Sequence, residues 1–136
     1  MPYRILMIRL CLPVLLAIQL AGCKVQIDVP TVGEVKSQSG NFSCNAGQSC
    51  VINIEDANFD ESFDAMPKPG YEFSHWRQKL GSFCGNTVKP CRLSTLGFEK
   101  YPLLLAFLKG DYKFYIEPVY KPARVAGDRG YRAVCV

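Results

Sequence analysis

Apolar residues in the body of this chain recur at every second position, in short runs that end at proline, glycine or asparagine. Alternation at period two is the pattern of a strand with one face on a core. Val25, Ile27 and Val29 alternate with polar residues. Cys50, Ile52 and Ile54 share one face of residues 49–55. Phe59, Glu61, Phe63 and Ala65 lie together on the next run, with acids largely on its other side. Further on, Tyr71, Phe73 and His75 oppose Glu72, Ser74 and Trp76, while Tyr112, Phe114 and Ile116 line one side of residues 111–120. The pattern predicts a mainly β fold. With 136 residues there is room for one domain and not comfortably for two.

The breakers divide these runs. Residues 31–40 read as a strand that ends in a turn, and residues 41–49 as a polar loop. In Met66-Pro67-Lys68-Pro69-Gly70 the two prolines cannot donate ladder hydrogen bonds, and Gly70 can supply a positive φ. Residues 59–76 therefore read as a hairpin about that turn. Residues 77–92 form a loop. Leu93, Leu96, Leu104 and Leu108 fit a helical period, and Pro102 suits a first helical turn, so a helix is expected from Pro102 to Lys109, stopped by Gly110. Pro118 places the last strand at a sheet edge. From Lys121 onward apolar density falls, and residues 121–136 read as a flexible tail.

The first 22 residues differ from the rest. Arg4 and Arg9 are the charges there, and the uncharged run Leu10–Leu20 is too short for a spanning helix, which needs about 18 or more apolar residues. The run ends in Leu20-Ala21-Gly22-Cys23. This tetrapeptide, after a charged and then an apolar stretch, resembles a bacterial lipobox. The resemblance implies a lipoprotein signal peptide at 1–22, a palmitate-type lipid anchor on Cys23, and a membrane partner held through acyl chains. Burial contributes about 0.8 kcal/mol per CH₂, and a single chain binds only marginally, so two or three chains hold such a protein on a bilayer unaided. In such lipoproteins an aspartate after the cysteine favours the inner membrane; with Lys24 there instead, the resemblance implies an outer membrane, facing the periplasm or the cell surface. Residues 23–30 are then a tether or an edge strand.

Loss of residues 1–22 would remove two of the positive charges, taking the formal charge from +4 to +2. That near-neutral balance gives no case for nucleic acid. Cys11 would leave with the signal, and five cysteines would remain beside Cys23: Cys44, Cys50, Cys84, Cys91 and Cys135. An exported chain favours disulfides. Cys44–Cys50 and Cys84–Cys91 are the local pairs, but four cysteines permit three pairings and the residues themselves do not choose. A Cys₄ zinc site would need tighter spacing than these intervals give. Cys135, next to the C-terminal residue, is either a free thiol or an intermolecular link to a second copy or another envelope protein.

The central block carries a second resemblance. Gly33-x-Val35-x-Ser37, then Cys44 and Cys50, then Phe63-Asp-Ala65-Met-Pro67-Lys-Pro-Gly70-Tyr-Glu-Phe73-Ser-His-Trp76, then Cys84 and Cys91, resembles one divergent bacterial repeat of the InlB B-repeat type over residues 31–120. The resemblance implies a mainly β (α+β) fold, a small β-grasp-like sheet with one short helix and disulfide-pinned loops. It favours the two local cysteine pairs. It also makes Pro67, Gly70, Phe73 and Trp76 a core motif, and implies adhesion, spacing or binding at a cell surface without catalysis. This chain holds one copy where such modules usually come in tandem.

Catalytic chemistry has thin support in the residues. His75 is the single histidine and reads as an ordinary strand residue. Asp56, Asp60, Glu61 and Asp64 read as a solvated strand face, and the spacing of a calcium loop is absent. No glycine-rich phosphate loop, Cys-x-x-Cys motif or nucleophile elbow occurs, so no catalytic, cofactor or metal residue is assigned. The expectation is a lipid-anchored envelope protein with a non-catalytic binding or structural module, its partner an envelope protein or glycan. The alternative is a periplasmic enzyme, or an accessory or inhibitor subunit, that uses the acidic strand or His75.

Overall fold

The computed structural model describes residues 22–125. The expected signal peptide at 1–22 (apart from Gly22), residues 126–136 of the expected tail, and Cys135 with its expected link lie outside the described residues. The strands are β1 (Cys23–Asp28), β2 (Gly33–Ser37), β3 (Ser43–Cys44), β4 (Ser49–Ile54), β5 (Asp60–Pro67), β6 (Tyr71–Trp76), β7 (Cys91–Ser94), β8 (Lys113–Ile116) and β9 (Pro118–Pro122), with one α-helix, α1 (Pro102–Lys109), between β7 and β8. The fold is mainly β, a small α+β arrangement.

Three sheets share one core. The first has the order β4-β1-β8, the second β3-β2-β5-β7, and the third is the ribbon β6-β9. Cys23, Val25 and Ile27 from β1, Ile52 and Ile54 from β4, and Ile116 from β8 are buried, as the alternation requires. Val35, Phe63, Cys91 and Leu93 of the second sheet join them, together with Trp76 and Leu108. Both local disulfides are present, Cys44–Cys50 and Cys84–Cys91. The first joins β3 of the second sheet to β4 of the first. The second closes the loop that leads into β7.

Three expectations are corrected. Residues 23–30 are neither tether nor edge: β1 pairs antiparallel with β4 on one side and parallel with β8 on the other, so it is the central strand of its sheet. Its alternation gave its strand character, but pairing on both sides depends on residues far along the chain. Residues 59–76 do not form a hairpin. The segment Lys68–Gly70 is a tight turn, with Gly70 at φ 87° and the Tyr71 amide donating to the Lys68 carbonyl. Yet β5 pairs with β2 and β7, while β6 leaves that sheet and pairs with β9. Residues 111–120 are not one strand either. Glu117 separates β8, parallel to β1, from β9, antiparallel to β6.

A β-bulge at Ser74 changes the facing of β6. The register runs Phe73 to Tyr120 and then His75 to Val119, so one extra residue stands on the β6 side. In a regular strand Phe73 and Trp76 would point to opposite faces. The bulge brings their rings to 5.2 Å between centroids. Trp76 is fully buried, and its indole N–H donates to the Lys89 carbonyl at 2.8 Å. The outer edge of β8 is covered by the 77–90 loop: the Phe83 amide donates to the Tyr115 carbonyl and the Tyr115 amide to the Gly81 carbonyl.

Candidate functional site

Helix α1 begins where Tyr101 is still extended and Pro102 takes the first helical position, and it ends at Gly110. Its sequence, Pro-Leu-Leu-Leu-Ala-Phe-Leu-Lys, is apolar almost all round. Leu108 is buried and Leu103 is 85% exposed. The helix stands beside the start of β1 and roofs a half-open cavity of about 380 Å³. Ile54, Phe83, Leu93, Phe98, Phe107 and Phe114 line most of it. The phenylalanines are themselves packed together, with Phe83 and Phe114 at 4.7 Å and Phe107 and Phe114 at 5.6 Å.

Three polar side chains border the cavity, and all three are already engaged. Arg92 grips Asp60 with two hydrogen bonds of 2.9 Å, and the hydrogen bonds from Arg92 hold the Asp60 carboxyl below its ordinary value. The Thr95 hydroxyl donates to the Asp56 carbonyl at 2.9 Å and accepts from the Phe59 amide at 3.1 Å. Ser94 is the third. The interior offers a guest apolar surface and little else.

Cys23 lies in the cavity wall. It is 5% exposed, and it is the free cysteine among the described residues. Burial pushes its thiol above the ordinary value. A buried thiol with a raised pKa holds little thiolate, so in the folded state Cys23 is a poor nucleophile.

The remaining residues picked out by the sequence lie elsewhere. Cys44, Cys50, Cys84 and Cys91 are the two disulfides. Pro67 ends β5 opposite Gly33, Gly70 makes the turn, and Phe73 packs between Trp76 and Tyr120. His75 is half-buried, with Nδ1 2.9 Å from the Ser74 hydroxyl. The acids are dispersed among separate partners. Asp60 binds Arg92, Glu61 accepts from Ser39 and Asn41, and Asp56 accepts from the Asn58 amide. Among the described residues no three His, Cys, Asp or Glu side chains converge on a point, and no helix is long and apolar enough to cross a membrane.

A charged cluster occupies the far end of β1. Glu117 accepts from Arg77 at 2.6 Å and Lys79 at 2.9 Å, and Lys79 also reaches Asp28 at 3.5 Å. Burial pushes the Glu117 carboxyl up, but hydrogen bonds from Lys79 and Arg77 outweigh it and leave the group below its ordinary value. The hydrogen bond to Glu117 in turn raises Lys79. Every member has an opposite charge beside it, so the cluster fastens the 77–90 loop to the first sheet.

No local pattern in the sequence marks the cavity. Its aromatic lining comes from segments near residues 83, 98, 107 and 114, which no local period connects. Compared with known proteins, the chain matches no family model, no curated protein and no solved structure.

Proposed function

We propose that this chain is an envelope lipoprotein, anchored through Cys23, whose disulfide-pinned β body serves a binding or structural role without catalysis. The observation that carries the reading is the position of Cys23. It ends the lipobox-like tetrapeptide, begins the first strand of the folded body, and is free while the other four cysteines of the described residues are paired. Two disulfides suit an oxidising compartment outside the cytosol.

The anchoring reaction is a displacement. The Cys23 sulfur attacks the glyceryl carbon of a diacyl phospholipid. A C–S bond forms as the C–O bond to the headgroup phosphate breaks, and the thiol proton leaves with the released phosphate ester. Because the folded body buries Cys23, this step precedes the docking of β1. The divergent repeat resemblance over residues 31–120 supports the second half of the reading, a module that binds an envelope protein or glycan on an outer membrane. The dispersal of the acids, and the engagement of His75 with Ser74, give the enzyme or inhibitor alternative little to work with.

Mass spectrometry of the full chain from bacterial membranes tests the anchor. The expected product begins at Cys23 and carries a diacylglyceryl group, and Cys23→Ser moves the protein to the soluble fraction. An uncleaved chain with an unmodified Cys23 overturns the reading. Affinity capture from those membranes then reports the partner.

A further inference from the structure

We infer that the cavity beneath α1 houses one acyl chain of the lipid attached to Cys23. The inference rests on the lipoprotein reading and says where the lipid lies. Three observations carry it. First, Cys23 is 5% exposed and lines the cavity, so a group bonded to its sulfur starts at the cavity wall. Second, the lining that this group meets is apolar and aromatic: Ile54, Phe83, Leu93, Phe107 and Phe114 surround it, while Arg92 and Thr95 direct their polar atoms to Asp60 and to the backbone. Third, the volume of about 380 Å³ lies at the low end of small-molecule pockets, about 300–1,000 Å³. That is room for one chain and not for the two or three that a lipidated N-terminal cysteine carries.

The cavity is half-open, and Leu104 stands at its wall at 37% exposed. One chain inserts between α1 and the first sheet, and the others leave past Leu104 toward the bilayer. A methylene leaves water as favourably for the bilayer as for the cavity, so what favours insertion is the contact that the chain gives to cavity walls otherwise without partner atoms. The body is then held against the membrane in one orientation, with α1 and its exposed Leu103 on the bilayer side. A lipid bound only to a flexible tether would leave the orientation free.

The test uses the full chain, expressed in bacteria fed a fatty acid that bears a photoactivatable diazirine. Intact mass first reports whether Cys23 carries lipid. After irradiation of the membranes, peptide mapping locates the crosslinks. The expected result is crosslinking within the chain itself, to Leu104, Phe107 or Phe114. Leu104→Trp, which narrows the cavity at a partly exposed position, is expected to lose those crosslinks while keeping the lipid on Cys23. If Cys23 carries lipid and the wild-type crosslinks are to membrane lipid alone, the inference fails and the anchor stands. If Cys23 carries no lipid, both fall. The wild-type map decides the question even where the tryptophan variant does not accumulate.

Discussion

Gly33 and Tyr120 show how narrowly one position can be set. Gly33 opens β2, and the Tyr120 ring of β9 lies directly over its α-carbon, where a Cβ would overlap the ring. The need for glycine here is one of space, since its φ is not positive. The Tyr120 hydroxyl donates to the Glu34 carbonyl at 2.7 Å and so ties the third sheet to the second. Gly33→Ala must displace the ring, and a loss of about 1–3 kcal/mol is expected, read as a lower urea midpoint with unchanged slope. The same contact sets an alkaline limit. Burial pushes Tyr120 up to about 12, the nearby Glu34 charge adds to this, and a backbone contact with Met66 opposes it. The unfolded phenol ionises near pH 10. The neutral phenol's contribution is therefore fully present below about pH 10 and is lost as pH rises from there through about 12. In urea titrations across that window, wild type should lose more stability than Tyr120→Phe. Equal losses in the two proteins would remove Tyr120 as the cause.

At the level of elements, the two disulfides close loops of similar length but hold different things. Cys44–Cys50 staples β3 to β4, and so one sheet to another. Cys84–Cys91 closes the loop whose Phe83 walls the cavity. Loop-closure entropy gives each about 2–2.5 kcal/mol. The paired variants Cys44→Ala/Cys50→Ala and Cys84→Ala/Cys91→Ala should each lower stability by about that amount in chemical denaturation. Loss of the second should also loosen the cavity, measured as faster amide exchange at Phe83 and Tyr115. The same scale shows what the sequence makes legible. Pro102 and Gly110 bound α1 from local residues alone, whereas the leucine period misleads at its start, since Leu93 lies in β7 and Leu96 precedes the helix; local disulfide pairing is open to inference from the repeat-like pattern. Alternation marked β1, β4 and β6 as strands but said nothing of their partners. Residues 59–76 look like a hairpin because a strand, a proline-glycine turn and a strand follow in order. What separates β5 from β6 is Tyr120, 44 or more residues away, which draws β6 onto β9. The Ser74 bulge, which puts Phe73 and Trp76 on one side, leaves no mark in the spacing. The cavity is hidden for the same reason, since its walls belong to five elements and to the two connections that carry Phe83 and Phe98.

Taken whole, the molecule has no sheet that could stand alone. The sheets have three, four and two strands, and a two-stranded ribbon is marginal in water by itself. What makes β6 and β9 persist is that Trp76 enters the core shared with Phe63, Ile27 and Ile116, while Tyr120 bonds to β2. The side chains of all three sheets form one buried cluster, so removing one sheet opens the faces of the others. That arrangement predicts a single cooperative transition. Trp76 is the one tryptophan of the chain, which makes its fluorescence a local reporter of the ribbon, while far-UV circular dichroism reports all strands together. With the disulfides kept oxidised, urea curves from the two probes should coincide. A fluorescence transition that precedes the dichroism would mean that the ribbon parts from the other two sheets first, and that their common core is not the unit that folds.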